Sequence, residues 1–338
     1  KALMNILVTG VAGLLGSRLA TWILDNTSHK VVGVDNLSGG YAENIDKRID
    51  FYNLDLMDSF TQIDSLFKEN KFDVVYHLAA YAAEGLSPFI RVFNYKNNLM
   101  ASVNLINNSI KYGVDRFIFT SSMAVYGGSQ NPPFDEVLIP SPIDPYGIAK
   151  FSVEQDLKVA YDQHGLNYTI IRPHNVYGIN QNIWDRYRNV LGIWMYQIMN
   201  NMNPTIFGDG NQTRAFSYVD DVLEPLWNAS QRDSCIDQII NLGGIKNYSI
   251  NQAAEAVIKV TGTNLGPVHL EQRHEVKHAW ASWDKSVELL DFEHKIDLEE
   301  GLARMWSWAQ NQPTRDRFTW SKFELEKKIY DFWKVKND

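Results

Sequence analysis

"LVTGVAGLLG", residues 7–16, sets Gly10, Gly13 and Gly16 between an apolar run that reads as a strand and an amphipathic run that reads as a helix. Each glycine has its own task. The first makes a tight turn, the second lets a pyrophosphate approach the backbone, and the third lets helix and strand pack closely. Phosphates held there sit on the N–H groups of the helix N-terminus. A bare glycine triplet is weak evidence, but a second strand-like run, Lys30–Val34, follows and leads into Asp35 of "VVGVDNLSGG". A carboxylate at that strand end accepts hydrogen bonds from both ribose hydroxyls and repels a 2′-phosphate, and Asn36 brings no positive charge to hold one. The expected cofactor is NAD rather than NADP.

Outward from this unit, short apolar runs alternate with amphipathic ones: Phe51–Leu54, Val74–Leu78, Arg116–Phe119, Tyr168–Ile171 and Gln238–Leu242 join Asn5–Val8 and Lys30–Val34. The pattern predicts an α/β fold, a doubly wound parallel sheet covered on both faces. One long helix is expected from about Pro88 to Tyr112, closed by Gly113, and another from Tyr146 to His164, with Gly165 as its left-handed cap. After Gly178 the pattern loosens into "INQNIWDRYRNV" and, from Ser249 to Gln312, a mixed segment. We read 1–177 with 219–248 as the cofactor domain and 178–218 with 249–312 as a smaller substrate lobe. Residues 313–338, with Trp320, Phe323, Tyr330, Phe332 and Trp333 among lysines, form either a packed helical tail or an interface.

Composition bounds the function. At 338 residues and 45% hydrophobic the chain can bury one large core. A net charge of -8 argues against general affinity for nucleic acid or anionic membrane, which both need a basic surface. The single cysteine, Cys235, excludes an intrachain disulfide framework and a cysteine-rich zinc site. No metal is expected, and a reducing compartment, the cytoplasm, is the expected setting. No run approaches the ~20 apolar residues of a membrane span. "LMNILVTG" starts directly in a strand with no signal-peptide pattern, so a soluble, unprocessed protein is expected.

The chemistry rests on "PYGIAK", which sets Tyr146 and Lys150 four apart at a helix start, on one face. A phenol titrates near ~10 in water. An adjacent ammonium and a nicotinamide cation both favour phenolate, so Tyr146 is expected to serve as a base near neutral pH, with Lys150 also holding the nicotinamide ribose. In "TSSMAVYG", residues 120–127, Ser122 sits where a strand ends and is the candidate proton relay, whereas Ser121 reads as structural. Asp55 and Leu56 fall where an adenine edge would lie, and His77 of "HLAA" reads as a hydrogen-bonded core histidine.

Taken in order, "TGVAGLLG", "VDNLSGG", "LDL", "HLAA", "TSSMAVYG", "YGIAK", "RPHNVYG" and "GDGNQTRAFSYVDD" resemble the extended short-chain dehydrogenase/reductase family. The resemblance is to its nucleotide-sugar epimerase branch and spans about Met4 to Gln312. It implies Ser122, Tyr146 and Lys150 as the catalytic set. It implies cofactor contacts from Gly10, Gly13, Leu14, Leu15 and Gly16, then Asp35, Asn36, Ser38 and Gly39, then Asp55 and Leu56. Leu78, Ala79, Ala80, Asn98, Pro173 and His174 complete them, with Tyr146 and Lys150. For the substrate it implies Arg214 and Arg273 on a pyrophosphate, and Asn175 and Asn189 with neighbouring Val190 on phosphates and sugar. Thr205 and Phe207 fall where relatives hold uracil, and Ser122, Tyr146 and Glu84 where they hold the sugar.

The departures carry information. Sugar-nucleotide 4,6-dehydratases of the family carry Asp-Glu where this chain has Met123-Ala124. UDP-xylose-forming decarboxylases carry a glutamate at the second position, and GDP-mannose 3,5-epimerases a cysteine. Methionine and alanine move no protons, which leaves hydride transfer with one relay: a 4-epimerase, or a 4-ketosugar reductase on NADH or NADPH. A UDP-hexose, plain or N-acetylated, is the expected substrate. Gly85 stands where uronate-handling relatives carry arginine and Glu84 repels a carboxylate, which tilts away from UDP-glucuronate. Ala279 aligns with a gate at which a small residue admits an N-acetyl group, and Arg186 or Arg188 can reach a phosphate, a sugar carboxylate or a partner subunit. A non-catalytic NAD scaffold is disfavoured by the intact Ser-Tyr-Lys set. Resemblance implies a homodimer in which the two long helices pair into a four-helix bundle; the alternative is that both only cover the sheet.

Overall fold

The computed structural model describes residues 2–128 and 130–334. The first half alternates strand and helix: β1 (Asn5–Thr9), α1 (Leu14–Asn26), β2 (Lys30–Asp35), β3 (Asp50–Asn53), α2 (Phe60–Asn70) and β4 (Val74–His77). There follow α3 (Arg91–Tyr95), α4 (Ala101–Lys111), β5 (Arg116–Thr120), α5 (Pro145–His164) and β6 (Tyr168–Pro173). The later elements are β7 (Val176–Tyr177), α6 (Val190–Met199), β8 (Thr205–Phe207), β9 (Thr213–Ala215), β10 (Ser217–Tyr218), α7 (Val219–Gln231) and β11 (Gln238–Leu242). β12 (Asn247–Ser249), α8 (Ile250–Thr261), β13 (Val268–Leu270), β14 (His278–Ala279), α9 (Asp284–Leu290), α10 (Leu298–Gln310) and α11 (Asp331–Lys334) complete the chain.

The seven expected strand runs are the seven strands of one sheet, in the order β11-β6-β5-β4-β1-β2-β3. Every pairing in it is parallel. Successive side chains of each strand enter opposite layers. Ile6, Val8, Tyr76 and Ile118 join one core with α1 and α7, whereas Leu7, Val75, Phe117 and Phe119 join another with α2, α4 and α5. The first of these cores runs without a break into Leu290, Leu302 and Met305, so the 284–310 helices share the body of the sheet. Strand order reverses at β1, between β4 and β2, and such a switch point opens a crevice at the carboxyl ends of the strands.

Two expectations are modified. The helix expected from Pro88 to Tyr112 is interrupted: α3 passes through a π-helical turn, Lys96–Met100, into α4, and Gly113 closes it at φ +69. The aromatic tail is packed but, among its described residues, scarcely helical, with Asp331–Lys334 forming a short helix. It lies across the mouth of the molecule, where Phe323, Ile329 and Trp333 bury against Tyr81, Leu86, Phe89 and Tyr187. No helix among the described residues is long and apolar enough to cross a membrane.

Candidate active site

Two adjoining clefts open at the switch point. The smaller, ≈ 180 Å³, follows the glycine turn. Gly10 adopts φ +70, and a Cβ on it would lie 2.9 Å from backbone atoms of Ala79. On Gly16 a Cβ would lie 2.1 Å from the Gly10 carbonyl oxygen, so helix and strand pack here only without side chains. Gly13 is the N-cap of α1, whose first turn has no side-chain cap and no acidic residue, leaving its amides for an anion. At the end of β2 the Asp35 carboxylate accepts from Ala12 N at 3.0 Å and Leu37 N at 2.8 Å, and burial raises its pKa. Asn36 donates to Asp55 Oδ2 at 3.0 Å and accepts from Ser38. Leu14, Leu15, Gly39 and Leu56 line this cleft with the turn, and Leu78, Ala79 and Ala80 close its side. The glycine cradle, the uncapped helix start and the acid at the strand end fit NAD.

Two expected cofactor contacts stand behind the wall instead. Asn98, on the π-helical turn, is buried, accepts from Tyr81 N at 2.9 Å and donates to Tyr81 O at 3.1 Å, so it shapes the loop after Ala80 from within. His174 is buried off the cleft and burial lowers its pKa to about 4; its carbonyl accepts from Ser217 Oγ. His77 is the core histidine expected, between Thr9 Oγ1 and Ser102 Oγ at 2.8 Å each.

Ser122, Tyr146, Lys150 and Pro173 line the larger cleft, ≈ 410 Å³. Asp144 caps α5 by accepting from Gly147 N at 2.7 Å. Further along α5, Glu154 meets Arg172 of β6 at 2.6 Å, both side chains 1% exposed, which fixes the helix against the sheet. Lys150 Nζ donates to Thr120 O at 2.8 Å and lies 5.8 Å from the centre of the Tyr146 ring. Burial brings its pKa down to about 7, opposed by Glu154. The phenol differs from expectation. Its pKa is raised, first by burial and then by the Glu84 carboxylate, while a hydrogen bond with Ser122 works the other way. The ring is buried and its strongest charged neighbour is an acid, Glu84, which together raise the pKa rather than lower it. Met123 packs against a small cluster of Val125, Tyr126 and Phe134, Ala124 is buried beside it, and neither puts a proton-moving group at the strand end.

At the far end of this cleft the structure gathers Asn175, Asn189, Val190, Thr205, Phe207, Arg214, Arg273 and Glu84. Several already have work. Asn189 caps α6 by accepting from Leu191 N at 2.9 Å, and Asn175 donates to Ala215 O at 2.9 Å. Arg214 donates to the carbonyls of Thr213, Lys277 and Val276 and pairs with Glu275 at 3.4 Å; Arg273 pairs with the same carboxylate at 3.1 Å. Glu84 lines the same cleft with its side chain still open to solvent; the surrounding protein raises its pKa by desolvation, and Arg214 and Arg273 lower it. Ala279 is not on the cleft wall: β14 pairs with β9, and Ala279 packs beside Val125, Tyr126 and Phe134. A gate at that position is therefore withdrawn.

Among the contributors that the sequence reading missed, Gln212, Glu275 and the tail residue Phe332 line the cleft. The signal for the tail was its density of aromatics. Of the two loop arginines, Arg188 reaches both clefts, held by Asp185 at 3.1 Å and lying 4.6 Å from the Tyr81 ring centre. Arg186 also lines the larger cleft and stacks on Phe332 of the tail.

A dinucleotide crevice running into a Ser-Tyr-Lys cleft defines a nucleotide-dependent enzyme of the short-chain dehydrogenase/reductase type. The chain belongs to the NAD dependent epimerase/dehydratase family, whose model matches residues 6–243, and its cofactor is NAD. Among solved structures it is similar to a UDP-glucose 4-epimerase of Thermotoga maritima with UDP-glucose, at 34% identity and TM-score 0.86, covering 91% of this chain and 99% of that one. A UDP-glucuronic acid 4-epimerase of Bacillus cereus, in complex with UDP-glucuronic acid and NAD, is 30% identical with TM-score 0.83, covering 91% of this chain and 99% of that one. A UDP-N-acetylglucosamine 4-epimerase of Methanobrevibacter ruminantium M1, in complex with UDP-N-acetylmuramic acid, is 30% identical with TM-score 0.83, covering 91% and 98%.

Proposed function

We propose that the protein is a UDP-hexose 4-epimerase. One observation carries this reading: Ser122, Tyr146 and Lys150 share a single cleft with Asn175, Thr205, Phe207, Arg214 and Arg273, and that cleft continues into the NAD crevice. Residues 1–177 with 219–248 hold the cofactor in this reading, and 178–218 with 249–312 supply most of the groups that meet the nucleotide. Glu84, set between Arg214 and Arg273, supports a neutral sugar over a uronate. A Cβ on Gly85 would lie 3.2 Å from Arg273 Nη1, so an arginine there would have to displace that guanidinium and set a second positive charge beside it.

Tyr146 takes the proton of the sugar 4-hydroxyl, through or beside Ser122, and returns it to the 4-keto sugar after the ring has turned over. When bound, NAD would supply a hydride acceptor and donor for C4, and its positive ring would add to the field that favours ionised Tyr146. Lys150, whose pKa burial brings down to about 7, would hold the ribose by hydrogen bonding. Met123 and Ala124 offer no second acid or base, which supports epimerisation over dehydration.

We infer a homodimer through α3, α4 and α5, which pack on one another and leave Val92, Met100, Ile148 and Val159 exposed. The buried free thiol of Cys235 agrees with a reducing, cytoplasmic setting. The test is to incubate the purified protein with UDP-, dTDP- and GDP-sugars without added reductant and to read products by NMR. Interconversion of UDP-glucose with UDP-galactose, or of their N-acetyl forms, is expected. No turnover of any UDP-sugar, or turnover only with added NADH or NADPH, would overturn the proposal.

A further inference from the structure

We propose that the carboxyl-terminal segment is a wall of the nucleotide subsite and that Phe332 is the side chain by which it touches the nucleobase of the substrate. The inference rests on the UDP-sugar reading above and extends it to the segment after α10. The three solved structures are matched over 98–99% of their own length by 91% of this chain, so about a tenth of this chain has no counterpart in them.

Three observations place that segment at the nucleobase end. Phe332 lines the larger cleft together with Thr205, Phe207 and Arg273. Phe207 is surrounded by the segment: Tyr330, Phe332 and Trp333 stand edge-on or tilted to its ring with centroids 5.9, 6.1 and 5.9 Å away. Arg273 stacks on Phe207 from another side, with its guanidinium 4.4 Å from the ring centre, so the charged end of the subsite and the aromatic end meet at one residue.

The segment is fixed from several directions rather than draped. Trp333 is 2% exposed and lies 5.3 Å from the Tyr187 ring. Arg186 stacks on Phe332 at 4.6 Å and donates to its carbonyl. Asp331 N donates to Glu271 Oε1 at 2.6 Å, and His274 N donates to Tyr330 Oη at 3.0 Å. Upstream, Trp320 Nε1 donates to Tyr81 Oη at 3.1 Å, and Glu324 accepts from Val92 N and Phe93 N. These anchors hold a half-buried phenyl ring at the cleft in one orientation. A flat pyrimidine is the ligand class that gains from such a wall, because it presents apolar faces to aromatic carbon while its edge polar groups meet backbone and side-chain donors.

The experiment measures UDP itself, by isothermal titration, on the full chain with its NAD bound. Phe332→Ala is expected to weaken UDP about tenfold, the loss of one aromatic contact. KM for the UDP-sugar rises in parallel, while kcat and NAD content stay as in the native protein. Phe332→Leu, which keeps bulk but not the ring, is expected to fall between the two, and Trp333→Ala, which releases the anchor, to lose at least as much as Phe332→Ala. UDP affinity unchanged in both alanine variants would overturn the proposal while leaving the epimerase reading intact. A native protein that does not bind UDP would overturn both.

Discussion

The two clefts are built from different materials. The NAD crevice is made mostly of backbone: two glycines that cannot take a Cβ, an uncapped helix start, and a single acid, Asp35, already oriented by two amides. The substrate end is made of side chains, and mostly of charges that restrain one another. Arg214 and Arg273 share Glu275, Glu84 faces both, Arg188 leans on Asp185, and Glu84 also bears on Asp144 and Tyr146. A backbone site is broken by adding an atom and is indifferent to most charge changes. A site of balanced charges tolerates atoms and responds to protons. Holding the cofactor and turning over the sugar should therefore be separable by mutation.

The sharpest separation is expected from Tyr146→Phe. Removing one oxygen leaves the NAD crevice untouched and takes away the proton acceptor, so turnover should fall by roughly 10²–10⁴-fold or more. NAD measured by absorbance after denaturation should remain at the native level. Loss of NAD together with activity would mean that the two clefts are not separable, and unchanged turnover would remove Tyr146 from the chemistry. The reverse separation uses Gly16→Ala. Its methyl would meet the Gly10 carbonyl at 2.1 Å, a backbone contact with no flexible atom to yield. A destabilisation of about 2–4 kcal/mol is expected, seen as a lower thermal midpoint, along with NAD lost on gel filtration. Native NAD content in this variant would show that the turn is looser than the packing implies.

The same contrast explains how far the sequence could be read. The crevice was legible because its parts lie within about thirty residues: Gly10, Gly13, Gly16 and Asp35 sit at fixed offsets from two strands, and the hydrophobic alternation set the rest of the sheet. The Tyr146-Lys150 face was legible for the same reason, being one turn of one helix. The direction of the Tyr146 shift was not. It depends on Glu84, more than sixty positions away, and on how deeply the ring is buried, and neither follows from spacing. Asn98 and His174 were misplaced by a single layer, since a motif gives the neighbourhood of a residue but not which side of the wall its side chain takes. Ala279 failed because a two-residue strand pairing turned it toward Phe134. Phe332 had no motif at all, only the company of other aromatics.

The subtlest break is expected from Glu84→Gln, which keeps the shape of the substrate end and removes one negative charge from it. Burial first and Glu84 second raise the pKa of Tyr146 and bring Asp144 up from an ordinary 3.8 to about 7. Taking the charge away favours the ionised form of both, so the acid limb of the kcat/KM profile should move to lower pH, by up to about one pH unit. The linked effect on stability has a definite sign. Asp144 binds its proton more tightly in the folded protein, so its contribution is fully present below its unfolded value and is lost as pH rises through about 7. In Glu84→Gln that decline, followed by thermal midpoint between about pH 4 and 7, should be shallower. With one acid fewer to balance Arg214 and Arg273, the affinity for UDP should rise while NAD content stays constant. An unshifted acid limb would mean that Glu84 does not govern the ionisation of Tyr146, and that the balance of charge at this end of the molecule is set by Glu275 alone.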